Sequence, residues 1–554
     1  MLIHLLLSAW MASQAVGASG AQDAQIPAAL LKAASQATSE PEPGGAGPEQ
    51  ADLESLYPIS NPRLLWSRQS ELSSQARELL EILSSTEIYG LRPGDYGLDR
   101  LLASTQQLAV SSPADAWAQF DVRLTSTAIR LVTQLHFGRI DPRAAGFELT
   151  RPRDTINVAE IVSRMASAPR VTDALSAIEP QFLHYRLLKA ALARYRALAA
   201  DASLTQLPGV GKRSLHRGDS YVGVAPLRRL LVALGDMAPT DVAAMPSNTV
   251  LGASLVAGLA HFQARHGLAA DGSLGANTYL ALTTPLAQRV RQIELTLERW
   301  RWLPPFETPP IIVNIPQFRL YAFPTSEDRL LDGLQMPVIV GQTYPRTRTP
   351  VFVGDLRYVI FRPYWDVPRS IVEHEMLPQI RVDVGYLQRN NLELVNGQSD
   401  TSEVVAPTPA ALAALAAGQL RLRQRPGEDN SLGLVKFVFP NTHDVYMHGT
   451  PVQRLFLESR RAFSHGCIRV SDPVALAGYV LRDTGGGWDA TRISAAMHAS
   501  TSLRVDLKAP IRVMILYGTA LATEAGAVEF FDDIYGHDRK LETLLGLLPI
   551  GHAQ

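Results

Sequence analysis

Two proline pairs, Pro304-Pro305 and Pro309-Pro310, divide the chain into halves with different hydrophobic periods. Proline fixes φ and removes a backbone donor, so neither a helix nor a central strand runs through such a segment. Before the break, apolar residues recur at helical spacing, as in Leu79, Leu80 and Leu83, and again in Leu187, Leu188, Ala191, Leu192 and Tyr195. After it, β-rich runs follow one another at residues 311–315, 319–323, 336–341, 351–361 and 435–439, separated by turn residues. A chain of 554 residues is also too long for one hydrophobic core. The sequence therefore predicts a multidomain α+β protein.

The organisation can be read in order. Residues 1–21 open on Met1-Leu-Ile-His-Leu-Leu-Leu-Ser-Ala-Trp-Met11 and end in small residues around Ala18 to Ala21, the pattern of a cleaved secretory signal. No Lys or Arg precedes the apolar run, so a buried or anchoring helix is the competing reading. Residues 22–52, rich in Ala, Gln, Ser, Pro and Glu, are expected to be a flexible linker. Residues 53–205 are expected to form a helical scaffold domain. Residues 215–285 form a compact three-helix pattern, with Gly235 and Gly267 as stops and Asp271-Gly272 as a turn. A helix over residues 286–302, its Arg and Glu expected to face water, leads to the prolines. Residues 309–518 are the sheet-built domain, and 519–554 a C-terminal extension. Within the sheet domain, residues 366–432 turn helical and Ala-rich, which predicts a lid insertion. After residue 21 no stretch supplies the ~20 apolar residues that cross a bilayer, so no transmembrane segment is expected once a signal is removed.

Lys plus Arg total 52 against 53 Asp plus Glu, which gives no electrostatic reason to expect nucleic acid as a partner. The only cysteine is Cys467, so no intramolecular disulfide can form. A lone thiol is either an inert small hydrophobe or a nucleophile, and its neighbours decide. They are Val445-Tyr446-Met447-His448-Gly449-Thr450 and Phe463-Ser464-His465-Gly466-Cys467-Ile468-Arg469-Val470. A thiol at its ordinary pKa needs a nearby imidazole to become a thiolate. Gly466 allows the backbone to approach a substrate closely and to offer N–H groups to an oxyanion. Strand alternation puts Tyr446 and His448 on one face. A zinc site from two His and one Cys lacks a fourth ligand at customary spacing. No metal or organic cofactor is expected, because cysteine acyl transfer needs only side chains and backbone donors.

Two resemblances follow. The run Phe262-Gln263-Ala264-Arg265-His266-Gly267-Leu268, continued by Asp271-Gly272, Leu274-Gly275 and Thr278, resembles the peptidoglycan-binding domain attached to many cell-wall enzymes. His448-Gly449-Thr450 followed by Ser464-His465-Gly466-Cys467-Ile468-Arg469-Val470 resembles the signature of the YkuD-type L,D-transpeptidase domain. Similarity to the large multidomain periplasmic branch extends to Arg362–Ser370, Arg423–Gly433 and Phe439-Pro440-Asn441. The resemblance implies a transferase that crosslinks peptidoglycan in the periplasm, associated with the cell wall, with stem peptides as partners and carbapenems as inhibitors. It implies Cys467 as nucleophile and His448 as base oriented by the Gly449 carbonyl. His465 and the N–H groups around Gly466 and Cys467 become the oxyanion donors, and Arg469 a grip on a substrate carboxylate. Tyr364, Trp365 and Tyr446 are candidate lining residues of the donor channel. Water or a lipoprotein lysine as acceptor, giving a carboxypeptidase or a wall-to-membrane tether, stays open. So does a non-catalytic wall-binding scaffold.

Overall fold

The structure, a computed structural model, describes residues 24–37, 50–109, 111–149, 155–239, 249–304, 308–324, 333–344 and 347–547. The expected signal, residues 1–21, lies outside the described residues.

The expected linker is not simply a tether. Its residues Ile26–Ala37 form helix α1, which buries Ala29, Leu30 and Ala33 against α2, the long helix Ala114–Phe137. The Ala-rich composition suggested a solvated segment, yet those three positions recur at helical spacing and fit the close approach of a second helix. The core around α2 takes in Tyr57, Trp66, Leu79 and Val162. Helix α3, Leu183–Ala199, belongs instead to a second and larger core, through Tyr185, Leu188, Leu192 and Tyr195.

That larger core runs through the three-helix unit, the sheet domain and the C-terminal segment. The three-helix unit consists of α4 (Val224–Leu234), α5 (Ala253–Arg265) and α6 (Ala276–Thr283). Its polar motif residues hold the unit together. Gln263, 2% exposed, donates Nε2 to Asp271 Oδ1, Ser273 O and Thr278 Oγ1 at 2.9–3.0 Å and accepts the Gly272 N–H at 2.8 Å. Gly272 has φ +69°, and a Cβ there would meet Val256 Cγ1 at 2.6 Å. Helix α7, Leu286–Arg301, follows. The expectation that its charges face water fails at its C-terminal end, where Glu298, Arg299 and Arg301 are buried. They are paired: Arg299 with Asp538 at 2.6 Å, and Arg301 with Glu298 at 3.2 Å and the Tyr185 hydroxyl. Pairing is what makes buried charge tolerable, and it ties α7 to the C-terminal segment and to α3.

In the sheet domain the strands are β1 (Ile311–Asn314), β2 (Arg319–Ala322), β3 (Leu334–Gly341), β4 (Phe352–Phe361), β5 (Trp365–Asp366), β6 (Leu392–Asn396), β7 (Glu403–Val405), β8 (Arg421–Gln424), β9 (Val435–Val438), β10 (Met447–His448), β11 (Ala462–Ser464), β12 (Ile468–Val470) and β13 (Leu503–Leu516). Among the described residues nine strands form one sheet in the order β11-β3-β12-β10-β9-β4-β13-β1-β2, and β2 pairs back onto β3. The sheet therefore closes upon itself, and alternate side chains fill its interior. The C-terminal strands β14 (Ala520–Ala522) and β15 (Val528–Phe530) form a hairpin that packs on α3, α5 and α7.

The insertion differs from its expected helical character. Short helices and a π-helical turn, Val372–Met376, are joined by a four-stranded sheet in the order β5-β8-β6-β7. It has its own small core, including Ile371, Ile380, Leu394 and Leu422. The runs at 392–396 and 421–424 are short and interrupted by charge, so the Ala-rich helix at 409–416 dominated the pattern.

Candidate active site

Register builds the site. Lys436 of β9 lies opposite His448 of β10, and His448 lies beside Arg469 of β12. Phe437, Met447 and Ile468 are the adjacent row, fully buried on the core side. Period-2 alternation then sends Lys436, His448 and Arg469 to the opposite face, and Tyr446 and Cys467, two positions before His448 and Arg469, to that face as well. The Ile468 N–H donates to the Tyr446 carbonyl at 3.1 Å, which holds the start of β12 against that row.

His448 is 4% exposed, and its Nδ1 is 2.6 Å from the Gly449 carbonyl oxygen. A carbonyl only accepts, so Nδ1 carries the proton and Nε2 has the free lone pair. Burial, aided by Arg469 and Lys436, pushes the His448 pKa down to about 3, so the ring is neutral at physiological pH. The Gly449 backbone is held in turn by its N–H to Val435 O at 3.0 Å. Gly433, at φ +63°, packs so close that a Cβ would meet Thr450 N at 2.6 Å.

The Cys467 thiol is pushed up by burial, opposed by Tyr446, Lys436 and Arg469. Its Sγ is 3.7 Å from the Asp444 carbonyl oxygen, an acceptor suited to a protonated thiol. Resting cysteine and histidine are thus both neutral.

Gly466 has φ +121°, a region that side chains rarely adopt. Its N–H donates to Ser464 Oγ at 3.1 Å, and its carbonyl accepts from Thr349 Oγ1 at 2.7 Å. Gly466 therefore shapes the loop with its own N–H already engaged. His465 turns toward the insertion, where its Nε2 is 2.8 Å from Oε1 of Glu375 in the π-helical turn.

The aromatic candidates separate. The Tyr446 hydroxyl is within hydrogen-bonding reach of the Cys467 sulfur and of Trp365, so Tyr446 stands at the thiol and Trp365 behind it. Tyr364 instead lies under the Arg423 guanidinium at 4.2 Å, and Arg423 pairs with Glu393 at 2.6 Å inside the insertion. Sequence reasoning missed Lys436 and Glu375. A lone Lys in the apolar run Val435-Lys436-Phe437-Val438 was a usable signal, whereas Glu375 has none, since it reaches His465 only by tertiary docking.

Residues 309–495 match the L,D-transpeptidase catalytic domain of the YkuD family, residues 221–282 a "Putative peptidoglycan binding domain", and residues 51–192 a scaffold domain. The chain thus carries a YkuD-type L,D-transpeptidase catalytic domain together with a peptidoglycan-binding domain. It is 30% identical over 252 residues to the "Putative L,D-transpeptidase" of Haemophilus influenzae, an alignment covering 45% of this chain and 49% of that protein. The chain therefore spans about half the length of the curated relative it matches. No helix among the described residues is long and apolar enough to cross a membrane.

Proposed function

We propose that the protein forms peptidoglycan crosslinks by L,D-transpeptidation at the wall, after export to the periplasm directed by residues 1–21. The observation that carries the reading is the neutral His448, its Nδ1 proton held by Gly449, on the same sheet face as the Cys467 thiol. In the first half-reaction His448 Nε2 takes the thiol proton as the sulfur attacks the carbonyl of the L-centre of a diamino-acid residue in a tetrapeptide stem. The tetrahedral oxyanion is met by the Cys467 N–H, which among the described residues has no other acceptor. The C–N bond then breaks, the terminal D-alanine leaves with the proton from His448, and a thioester remains. An acceptor amine attacks the thioester, gives its proton to His448, and the thiol is restored.

Because His465 is engaged by Glu375, its part is to dock the insertion over the thioester, with oxyanion contact secondary. Trp365 and Tyr446 line the donor side of the sulfur. The insertion limits water, which competes with the acceptor amine. The unit at 215–285 serves as the wall-binding module. The test is mass spectrometry of muropeptides after incubation with purified protein. Dimers with free D-alanine are expected, together with covalent capture of Cys467 by a carbapenem, both lost in Cys467→Ala. Release of D-alanine without any dimer would make the protein a carboxypeptidase, and unchanged products from Cys467→Ala would reject the mechanism.

A further inference from the structure

Two cations flank the imidazole on the face that carries the thiol, Lys436 on one side and Arg469 on the other. The Lys436 Nζ stands 3.8 Å from the centroid of the Tyr446 ring, whose hydroxyl reaches the Cys467 sulfur. Among charged side chains, Lys436 acts on that sulfur most and Arg469 next. Neither cation forms an ion pair among the described residues. Arg469 Nε is buried with no hydrogen-bond partner, and the sulfur is the one group that favours the Arg469 charge. Lys436 is favoured by the sulfur first and, behind it, by Asp366, Asp444 and Asp400. Burial works against the charge of both. Desolvated cations without a carboxylate partner cost stability, and the Tyr446 ring meets Lys436 only through a cation–π contact. The fold leaves two positive charges beside the nucleophile without a carboxylate in an ion pair among the described residues.

We propose that Lys436 joins Arg469, for which the resemblance already implies a carboxylate grip, in a pair next to the Cys467 sulfur whose ligand is a free carboxylate of the acyl-donor peptide. The proposal rests on the peptidyl-transfer reading above. On that reading the α-carboxylate of the terminal D-alanine lies one residue from the scissile amide in a tetrapeptide stem and one residue farther in a pentapeptide. The pair thereby reads donor length. A side-chain carboxylate of the diamino acid offers the same chemistry from another position.

The first test uses the full-length protein and needs no transpeptidation. Iodoacetate and iodoacetamide are similar in size and leaving group and differ in charge, so the ratio of their alkylation rates at Cys467 cancels the thiolate fraction. Normalised to reduced glutathione, the iodoacetate preference should be about tenfold higher in the protein, as expected for cations in direct reach of the anion. It should fall toward the glutathione value in Lys436→Met and persist in Lys436→Arg, with circular dichroism confirming that both variants are folded. A ratio equal to that of glutathione in the unmodified protein, or an elevated ratio that survives Lys436→Met, overturns the proposal. The second test compares donors amidated at the C-terminus with donors amidated at the side-chain carboxylate. At least about a tenfold rise in KM for one of them, lost in Lys436→Met, identifies the source, while no effect of either overturns the proposal. An elevated, Lys436-dependent ratio without any peptidyl product keeps the carboxylate pair and rejects the transpeptidase reading.

Discussion

The peptidoglycan-binding unit and the catalytic sheet each carry a dense polar motif, and the fold treats the two differently. In the three-helix unit the motif is satisfied internally: Gln263 closes bonds to Asp271, Ser273, Thr278 and Gly272, and Arg265 pairs with buried Asp236 at 2.5 Å. In the sheet, Lys436, Arg469 and Cys467 share one face, and neither cation has a carboxylate partner among the described residues. A polar residue whose bonding capacity is taken up by the fold marks a structural motif. One left uncommitted in a buried setting marks a place where a ligand completes the bonding.

The largest effect is expected from removing His448, the proposed base. His448→Ala should lower acyl transfer by about 10²–10⁴ while the melting temperature moves little, as read by donor turnover and calorimetry. A variant that is inactive only because it is unfolded would mean His448 is structural in the way Gln263 is. Next, Gln263→Ala should cost about 2–3 kcal/mol, because several buried partners are left unsatisfied. Lys436→Met should leave stability unchanged or raise it. Chemical denaturation of both would reverse the argument if the lysine variant proved the less stable.

The smallest expected effect concerns the insertion. Glu375 and His465 are both substantially solvated, so their contact is a weak latch. Glu375→Gln should raise hydrolysis relative to crosslinking by about threefold. A constant product ratio would show that the insertion closes without that pair.

Legibility in the sequence follows the same division. The placement of Cys467, His448 and Gly449 was readable because the contacts that join them are local: two short strands, one ring nitrogen and the next residue's carbonyl. The helix-to-sheet switch at the prolines was readable because it is a change of period. Helix α1 was hidden by a composition that disorder and close helix packing share. The buried charges of α7 read as surface charges, since Arg299 finds Asp538 only once the C-terminal segment returns to it. Tyr364 and Trp365 are adjacent in sequence, yet one stacks on Arg423 inside the insertion and the other meets the Tyr446 hydroxyl beside the thiol. No sequence pattern separates them. The contact of Glu375 with His465 depends on docking between segments 90 residues apart.

On the proposed function, Cys467 waits as a neutral thiol beside a neutral imidazole and is deprotonated only as it attacks. Burial raises the Cys467 pKa and lowers that of His448 to about 3, which favours the neutral pair over a thiolate–imidazolium pair near neutrality. The direct test is the rate of Cys467 alkylation by iodoacetamide across pH 4 to pH 10. The expected profile is slow at neutral pH and rises about tenfold per pH unit until it passes the raised thiol pKa. A plateau of fast alkylation already established between about pH 5 and pH 7, lost in His448→Ala, would show a preformed ion pair and contradict the account.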